Sequence, residues 1–435
     1  MTSRLLESFG RVLRGRFEIS AEPTKGHQLS FGNGRSYGDS CLPPQGGIAI
    51  IPVRNASIRF DAATGLLEAS ARATLADIIL HAAPLGWFLP VTPGTKHVTL
   101  GGAIANDVHG KNHHLRGSFG CHVEWLELTR SDGRTYICSA KENLDFFAAT
   151  IGGMGLTGHI SRAAIRMMKV PGVNVAETVT PFSSIDGYFD VAEQTDLDNE
   201  YSVAWIDQLA SGSDAGRGLL FTGNHTASAF VPHKSAKIGV PFAPPVSALN
   251  GLSVRAFNRL YRFAKERKTG VRTTHYNPFF YPLDGVANWN RLYGPRGLHQ
   301  HQSVIPFEAA RRVIPQMLQV SRDAGHSSFL TVLKRFGQKK SPAILSFARP
   351  GYTLTLDFPH RGKSTLQLLD LLDAMTIGCG GAVNPYKDNR MSAATFAASF
   401  PDWQRLEALR DPAFLSGFWQ RTAMQVRGVK VRDLD

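Results

Sequence analysis

"PGTKHVTLGGAIANDVHGKNHH", residues 93–114, carries glycines at 94, 101, 102 and 110. Small residues, Ala103 and Ala105, sit between them. Glycine leaves the backbone bare, so a flat ligand can approach the chain itself. The stretch ends in "HGKNHH", residues 109–114, where three histidines and a lysine stand together. Two readings compete there. His109 and His113 are four apart, the spacing that puts two metal ligands on one helix face. Against this, Gly110 and Asn112 oppose a helix, Asp107 is the nearby carboxylate, and Lys111 repels a cation. The residues favour a polar wall beside a bound molecule, with Lys111 facing an anion.

Two further glycine loops flank this one. "GNGRSYGD", residues 32–39, has glycines at 32, 34 and 38. That is neither the GxGxxG of a Rossmann turn nor a loop closed by GK[ST]. It is a plain tight turn, or a nest of backbone N–H groups able to hold a pyrophosphate. "GGMGLTGHI", residues 152–160, has glycines at 152, 153, 155 and 158. Three such loops, each between strand-like segments, argue for an extended cofactor threading past backbone.

Periodicity fills in the surroundings. "HQLS" and "GGIAIIPV" read as short strands. Leu75, Ile78, Ile79 and Ala82 recur at helical spacing behind Thr74 as N-cap. "VEWLELTRSDGRTYICSA" alternates around Asp132-Gly133 and predicts a hairpin. From about residue 172 glycine thins out, and strands such as "YSVAWID", "HQHQSVIP" and "YTLTLDFP" alternate with helical stretches. The whole reads as α+β, with helices on one side of the second sheet. The expected division is 1–171, 172–381, and a segment 382–435 returning to the first domain.

Bulk properties set the bounds. A chain of 435 residues is too long for one ordinary core. With 43% hydrophobic and 19% charged residues it is globular. No apolar run is long enough to span a bilayer. The N-terminus has no secretory signal, and Arg4, Arg11, Arg14 and Arg16 among Leu, Phe and Val predict a basic first helix. Cys41, Cys121, Cys138 and Cys379 form no CxxC pair, which fits a reducing, cytoplasmic setting. The net charge of +13 calls for an anionic partner. No nucleic-acid motif is present. "NRLYRFAKERKTGVR", residues 258–272, is either a solvated loop or a surface for anionic lipid.

Strand alternation locates a second set of site residues. In "YTLTLDF", Tyr352, Leu354, Leu356 and Phe358 face one way and Thr353, Thr355 and Asp357 the other. Lys334 shares a face with Leu330 and Val332, and Gln300 with Gln302. Together they describe a polar pocket. "NPYKDNR" adds Lys387 and Arg390, for which ordinary exposed charges are the alternative.

The three glycine loops resemble the FAD-binding domain of the vanillyl-alcohol-oxidase type of flavoproteins. Adding "YPLDGVANWNRLYGP", "SFLTVLKRFG", "LDFP" and "YKDNRMSAATF", in that order, the chain resembles the decaprenylphosphoryl-β-D-ribose 2′-oxidase family over nearly its whole length. The resemblance implies an FAD domain, a cap carrying substrate residues, and oxidation of a polyprenyl-phosphate-linked ribose. It implies that Gly32, Asn33, Gly34, Arg35, Ser36 and Tyr37 cradle the pyrophosphate. Gly94, Thr95, Gly101, Gly102, Ala105 and Asn106 then run along the cofactor, with Gly153, Gly158 and Ile160 on its other side. Trp205, Gln300, Gln302, Lys334, Thr353 and Thr355 line the substrate pocket, and His109, Lys111 and Lys387 serve the chemistry. His109 and Lys387 both remain open as proton acceptor.

Two departures stand out. Thr353 and Thr355 occupy places where mycobacterial members carry Asn and Cys, so thiol-directed inhibitors should find no thiol there. Arg35 stands where covalent relatives place a histidine, which implies non-covalent FAD. The rival with the same chemistry is a soluble aldonolactone or alditol oxidase, whose C-terminal HWGK-like signature is absent. A basic, non-enzymatic lipid- or nucleic-acid-binding protein is the remaining alternative. The implied partners are the lipid-linked sugar, a short-chain reductase that completes epimerisation, and an anionic membrane surface touched peripherally.

Overall fold

The computed structural model describes residues 2–53, 57–233, 238–267 and 270–426. Two sheets build the first part. One has four strands in the order Thr2–Glu7, Arg14–Ser20, Ile48–Ile50, Gln28–Ser30. The other has five, in the order Ile58–Asp61, Leu66–Ser70, His159–Arg166, Val123–Thr129, Thr135–Ser139, all antiparallel. The expected basic first helix is not formed. Thr2–Glu7 and Arg14–Ser20 pair antiparallel instead, with Thr2 opposite Ile19 and Glu7 opposite Arg14. Arg11 at φ 60° turns the chain between them. Strand pairing buries Leu6 and Phe17 while Arg4, Arg14 and Arg16 point outward, and an isolated helix of this length has no such ladder to join.

Other local expectations hold for physical reasons visible on each element. Thr74 accepts from the Asp77 N–H while the Asp77 carboxylate accepts from the Thr74 N–H, closing a capping box on helix Leu75–Ala82. Its inner face, Leu75, Ile78, Ile79 and Ala82, is buried against the five-stranded sheet. Val123–Thr129 and Thr135–Ser139 form the hairpin around Gly133 at φ 81°.

The second sheet system has eight strands. Their order is Arg272–Thr274, Val175–Phe182, Gly218–His225, Tyr201–Ile206, Thr331–Phe336, Gly351–Pro359, Leu298–Ile305, Ala382–Val383. Helices Ile185–Thr195, Phe307–Asp323 and Lys363–Gly378 cover one face, where Tyr352, Leu354, Leu356 and Phe358 are buried. A fourth helix, Gly251–Glu266, packs on the opposite face, Tyr261 against Trp205. The expectation of helices on one side is met by three of these four. The chain's last described part returns to the first: Gln28 bridges Phe414, and Arg421 pairs with Asp39. The last strand of the large sheet, Ala382–Val383, lies just past the 381/382 division read from sequence.

Candidate active site

One cavity of about 1010 Å³ runs between the glycine loops and the face of the eight-stranded sheet that carries helix Gly251–Glu266. That is the upper end of small-molecule sites and more room than one sugar needs. All three glycine loops reach it. Residues 32–37 form one wall, Gly94, Thr95, Gly101, Gly102, Ala105 and Asn106 the next, and Met154, Gly155, Gly158 and Ile160 another. Gly153 is a correction. It does not line the cavity; a Cβ there would lie 1.9 Å from the Ala149 carbonyl oxygen, so this glycine serves the turn after helix Leu144–Thr150.

The loop walls fit a dinucleotide. No protein acceptor meets the backbone N–H groups of Gly32, Asn33, Gly34, Arg35 and Ser36 among the described residues. They form a ready nest for a pyrophosphate, with the half-buried Arg35 guanidinium beside it. A Cβ on Gly94 would meet no protein atom within 4 Å, because its hydrogen faces the cavity. Residues 32–39 are held to the C-terminal segment by the Tyr37 N–H donating to the Tyr386 carbonyl at 3.0 Å. Tyr386 in turn donates its hydroxyl to the Gly152 carbonyl at 2.9 Å, so "NPYKDNR" ties two glycine loops together.

"HGKNHH" divides its labour. His109 and Lys111 face the cavity. The other three side chains rivet this segment to its surroundings. Buried Asn112 donates to the Pro90 carbonyl at 2.8 Å and to Glu200 at 2.9 Å. His113 Nδ1 accepts from the Gly337 N–H at 3.2 Å, and His114 Nε2 lies 3.0 Å from the Asn199 carbonyl. Among the described residues no cluster of three His, Cys, Asp or Glu gathers to hold a metal. The three imidazoles diverge.

The sheet supplies the far wall. Gln300, Gln302, Lys334, Thr355 and Trp205 line it, as does Lys387 from the return segment. Thr353 is a second correction: it is fully buried behind the wall, where its Oγ1 accepts from Gln302 Nε2 at 3.0 Å. The lining alternates because a strand sends every second residue outward, yet neighbouring Gln302 covers this one. Gln302 is fully engaged. Its Oε1 accepts from Asn384 Nδ2 at 2.8 Å, and its Nε2 also reaches His109 Nε2 at 3.0 Å. Lys387 lines the cavity and the Arg390 side chain is only 13% exposed, which removes the reading of ordinary exposed charges. Arg390 pairs with Asp370, Asp373 and Asp388.

Three half-buried lysines converge on the cavity. Burial, then the charges of Lys111 and Lys387, pulls Lys334 down to about 7. Burial pulls Lys111 down to about 8, with Glu177 opposing. Lys387 is also lowered by burial, with Asp357 opposing, and its Nζ sits 4.3 Å from the Tyr37 ring centre. His109 is pushed well below the usual imidazole range by burial and then by Lys334, whose Nζ is 3.4 Å from Nδ1. Asp357 is raised by burial, with the Gln300 amide donating to it.

Several lining residues escaped the sequence reading. Asn384 lay in plain sight in "NPYKDNR". Tyr261 and Lys265 belong to the basic stretch 258–272 and face inward from its helix. Lys268 and Thr269 of that stretch lie outside the described residues, as does the basic tail at 427–435. Asp357, fully buried behind the wall, reads from sequence only as a member of the polar strand face.

Comparison with known proteins agrees with this geometry. Residues 22–139 match the FAD binding domain family. Decaprenylphosphoryl-beta-D-ribose oxidase of Mycolicibacterium smegmatis is 34% identical over 398 residues, 88% of this chain and 86% of that one. An uncharacterised protein in the mprA 5′ region of Streptomyces coelicolor is 30% identical over 366 residues, 78% of this chain and 95% of that one. Human delta(24)-sterol reductase shares 30% over 95 residues, only 22% of this chain and 18% of that one. The glycine nest, the cavity beside it and the long match agree: the chain is an FAD-dependent oxidoreductase and belongs to the decaprenylphosphoryl-β-D-ribose oxidase family.

Proposed function

We propose that the enzyme oxidises the 2′-hydroxyl of a ribose carried on a polyprenyl phosphate. The observation that carries this reading is the convergence of Lys111, Lys334 and Lys387 on the cavity that the glycine nest also lines. The nest provides for the pyrophosphate of FAD. Lys111 and Lys334 call for a second anion, a sugar-linked phosphate is one, and burial beside them favours the neutral, proton-accepting form of Lys387. A neutral aldonolactone or alditol gives them nothing to pair with. Bound FAD supplies the hydride acceptor. Arg35 in the first loop has no chemistry for a flavin bond, which supports a non-covalently held cofactor.

The side chains then sort by role. Gln302, oriented by Asn384 and Thr353, offers its amide N–H to His109 Nε2. Both ring nitrogens of His109 are already engaged, Nε2 by Gln302 and Nδ1 by Lys334, so His109 has no lone pair free for the alcohol proton. Lys387 becomes the proton acceptor, with Lys111 and Lys334 meeting the phosphate and Gln300 holding Asp357 beside them. Trp205 and Thr355 shape the remaining wall. The keto product passes to a separate short-chain reductase, which completes epimerisation to arabinose. No helix among the described residues is long and apolar enough to cross a membrane.

The test is anaerobic addition of polyprenyl-phosphoryl ribose to the yellow protein. The visible flavin band should bleach with this lipid and not with free sugars or lactones. Lys387→Ala should keep the flavin band and slow bleaching about a thousandfold. Bleaching by a free lactone would instead assign a soluble sugar oxidase, and normal turnover by Lys387→Ala would remove that lysine from the chemistry.

A further inference from the structure

The cavity mouth is marked by lining residues that also face solvent: Asn33, Gly94, His233, Pro282, Ala287 and Asn288. The surface beside it is unusually apolar. Of the eighteen large apolar side chains exposed among the described residues, nine fall between residues 231 and 271. Helix Gly251–Glu266 shows the arrangement best. Its inner stripe is Val254, Asn258, Tyr261 and Lys265, the last two ending in the cavity wall. At 3.6 residues per turn, Leu252, Ala256, Leu260 and Phe263 form a second stripe on the opposite side. Leu252 is 79% exposed, Leu260 69% and Phe263 56%.

A helix on a water-facing surface carries polar residues on that side. This one reverses the rule and flanks its outer apolar stripe with exposed Arg255, Arg259 and Arg267. The Arg267 guanidinium lies 4.1 Å from the Phe263 ring centre. The same character continues at the mouth itself. Ile238–Gly239 pairs with Val286–Ala287, which line the cavity, and Ile238 is 70% exposed.

We propose that this collar docks the enzyme on the anionic face of a lipid bilayer. The proposal rests on the lipid-linked substrate of the reading above. Apolar side chains at the headgroup boundary with arginines beside them suit an interfacial helix, and the arginines match anionic headgroups. A second copy of the chain would match the apolar stripe but would bring its own arginines against these. With the mouth at the bilayer, the sugar-phosphate end enters the cavity while the polyprenyl chain stays among the lipids.

The experiment is flotation of the full-length, FAD-loaded enzyme with substrate-free vesicles. One set is phosphatidylcholine; the other adds phosphatidylglycerol. Wild type should float with the anionic vesicles only. The paired change Leu260→Glu and Phe263→Glu should weaken that binding about tenfold or more, and Arg255→Glu with Arg259→Glu should remove the dependence on phosphatidylglycerol. Both variants should keep the flavin spectrum and bleach normally with detergent-solubilised polyprenyl-phosphoryl ribose, which shows that they fold. Wild type that stays in solution with anionic vesicles overturns the proposal, as do variants that float like wild type. Variants that lower the chain's mass in solution while floating unchanged would make the surface an interface between copies. Flotation that follows the expectation while the lipid fails to bleach the flavin leaves the surface assigned and overturns the substrate instead.

Discussion

The wall of the cavity is decided one side chain at a time. Lys334 is the clearest case, because burial among like charges lowers it to about 7 from the ordinary 10.5. A phosphate arriving beside it restores the charged form, so binding takes up a proton. The sign follows. Where the empty site is already protonated, below about 7, binding is insensitive to this group. Between about 7 and 10.5 the lysine must first be charged, and affinity for the lipid phosphate weakens by up to about tenfold per pH unit. Anaerobic titrations of the flavin spectrum with substrate, across that range, measure it. Lys334→Gln should bind more weakly at pH 7 and lose this slope; an unchanged slope would place the proton uptake on Lys111 or elsewhere.

At the scale of elements, two glycines in similar loops do opposite work. Gly94 presents its hydrogen to the cavity, and Gly153 presents its own to a backbone carbonyl in the turn behind Ala149. Gly94→Val should therefore fold with little change in denaturant midpoint and purify with little FAD. Gly153→Ala should cost about 3 kcal/mol from overpacking and show in the midpoint first. Equal flavin content in Gly94→Val and wild type would mean that the loop does not touch the cofactor. Sequence could not separate these two positions, since both read as glycine in a glycine loop. It did separate the faces of "YTLTLDF", where period two is enforced by the strand itself; it could not see that Gln302 on the neighbouring strand screens Thr353.

At the scale of the molecule, "HGKNHH" joins the glycine-loop half to the large sheet. Lys111 accepts from the Ser202 N–H at 2.9 Å, and Arg116 holds Glu200 through two bonds of 2.8 Å each. Glu200→Ala leaves Asn112 and Arg116 without this partner. The expected loss is about 2 kcal/mol, kept modest because Arg116 is 42% exposed and can turn to water. The flavin should stay bound while KM for the lipid rises, because Lys111 sits on the loosened segment. Thermal melts and steady-state kinetics on one preparation separate the two effects, and a normal KM would show that the segment needs no such anchor.

The sequence by itself determined the α+β class, the three glycine loops, four of the eight strands of the large sheet and most of the wall residues. These follow from backbone freedom at glycine and from period-two or period-3.6 burial, which are properties of neighbours in the chain. Tertiary structure alone decided the rest. Pairing with Arg14–Ser20 turned the expected first helix into a strand. Packing drew Lys387 to the cavity wall and Arg390 into a cluster of three aspartates, and Gln302 meets His109 across 193 residues of sequence. Helix Gly251–Glu266 shows the limit most plainly. Its composition marked a basic, aromatic stretch, but only its packing shows that Tyr261 and Lys265 look into the cavity while Leu260 and Phe263 look out. Which face of a helix is inside depends on what the rest of the chain places beside it.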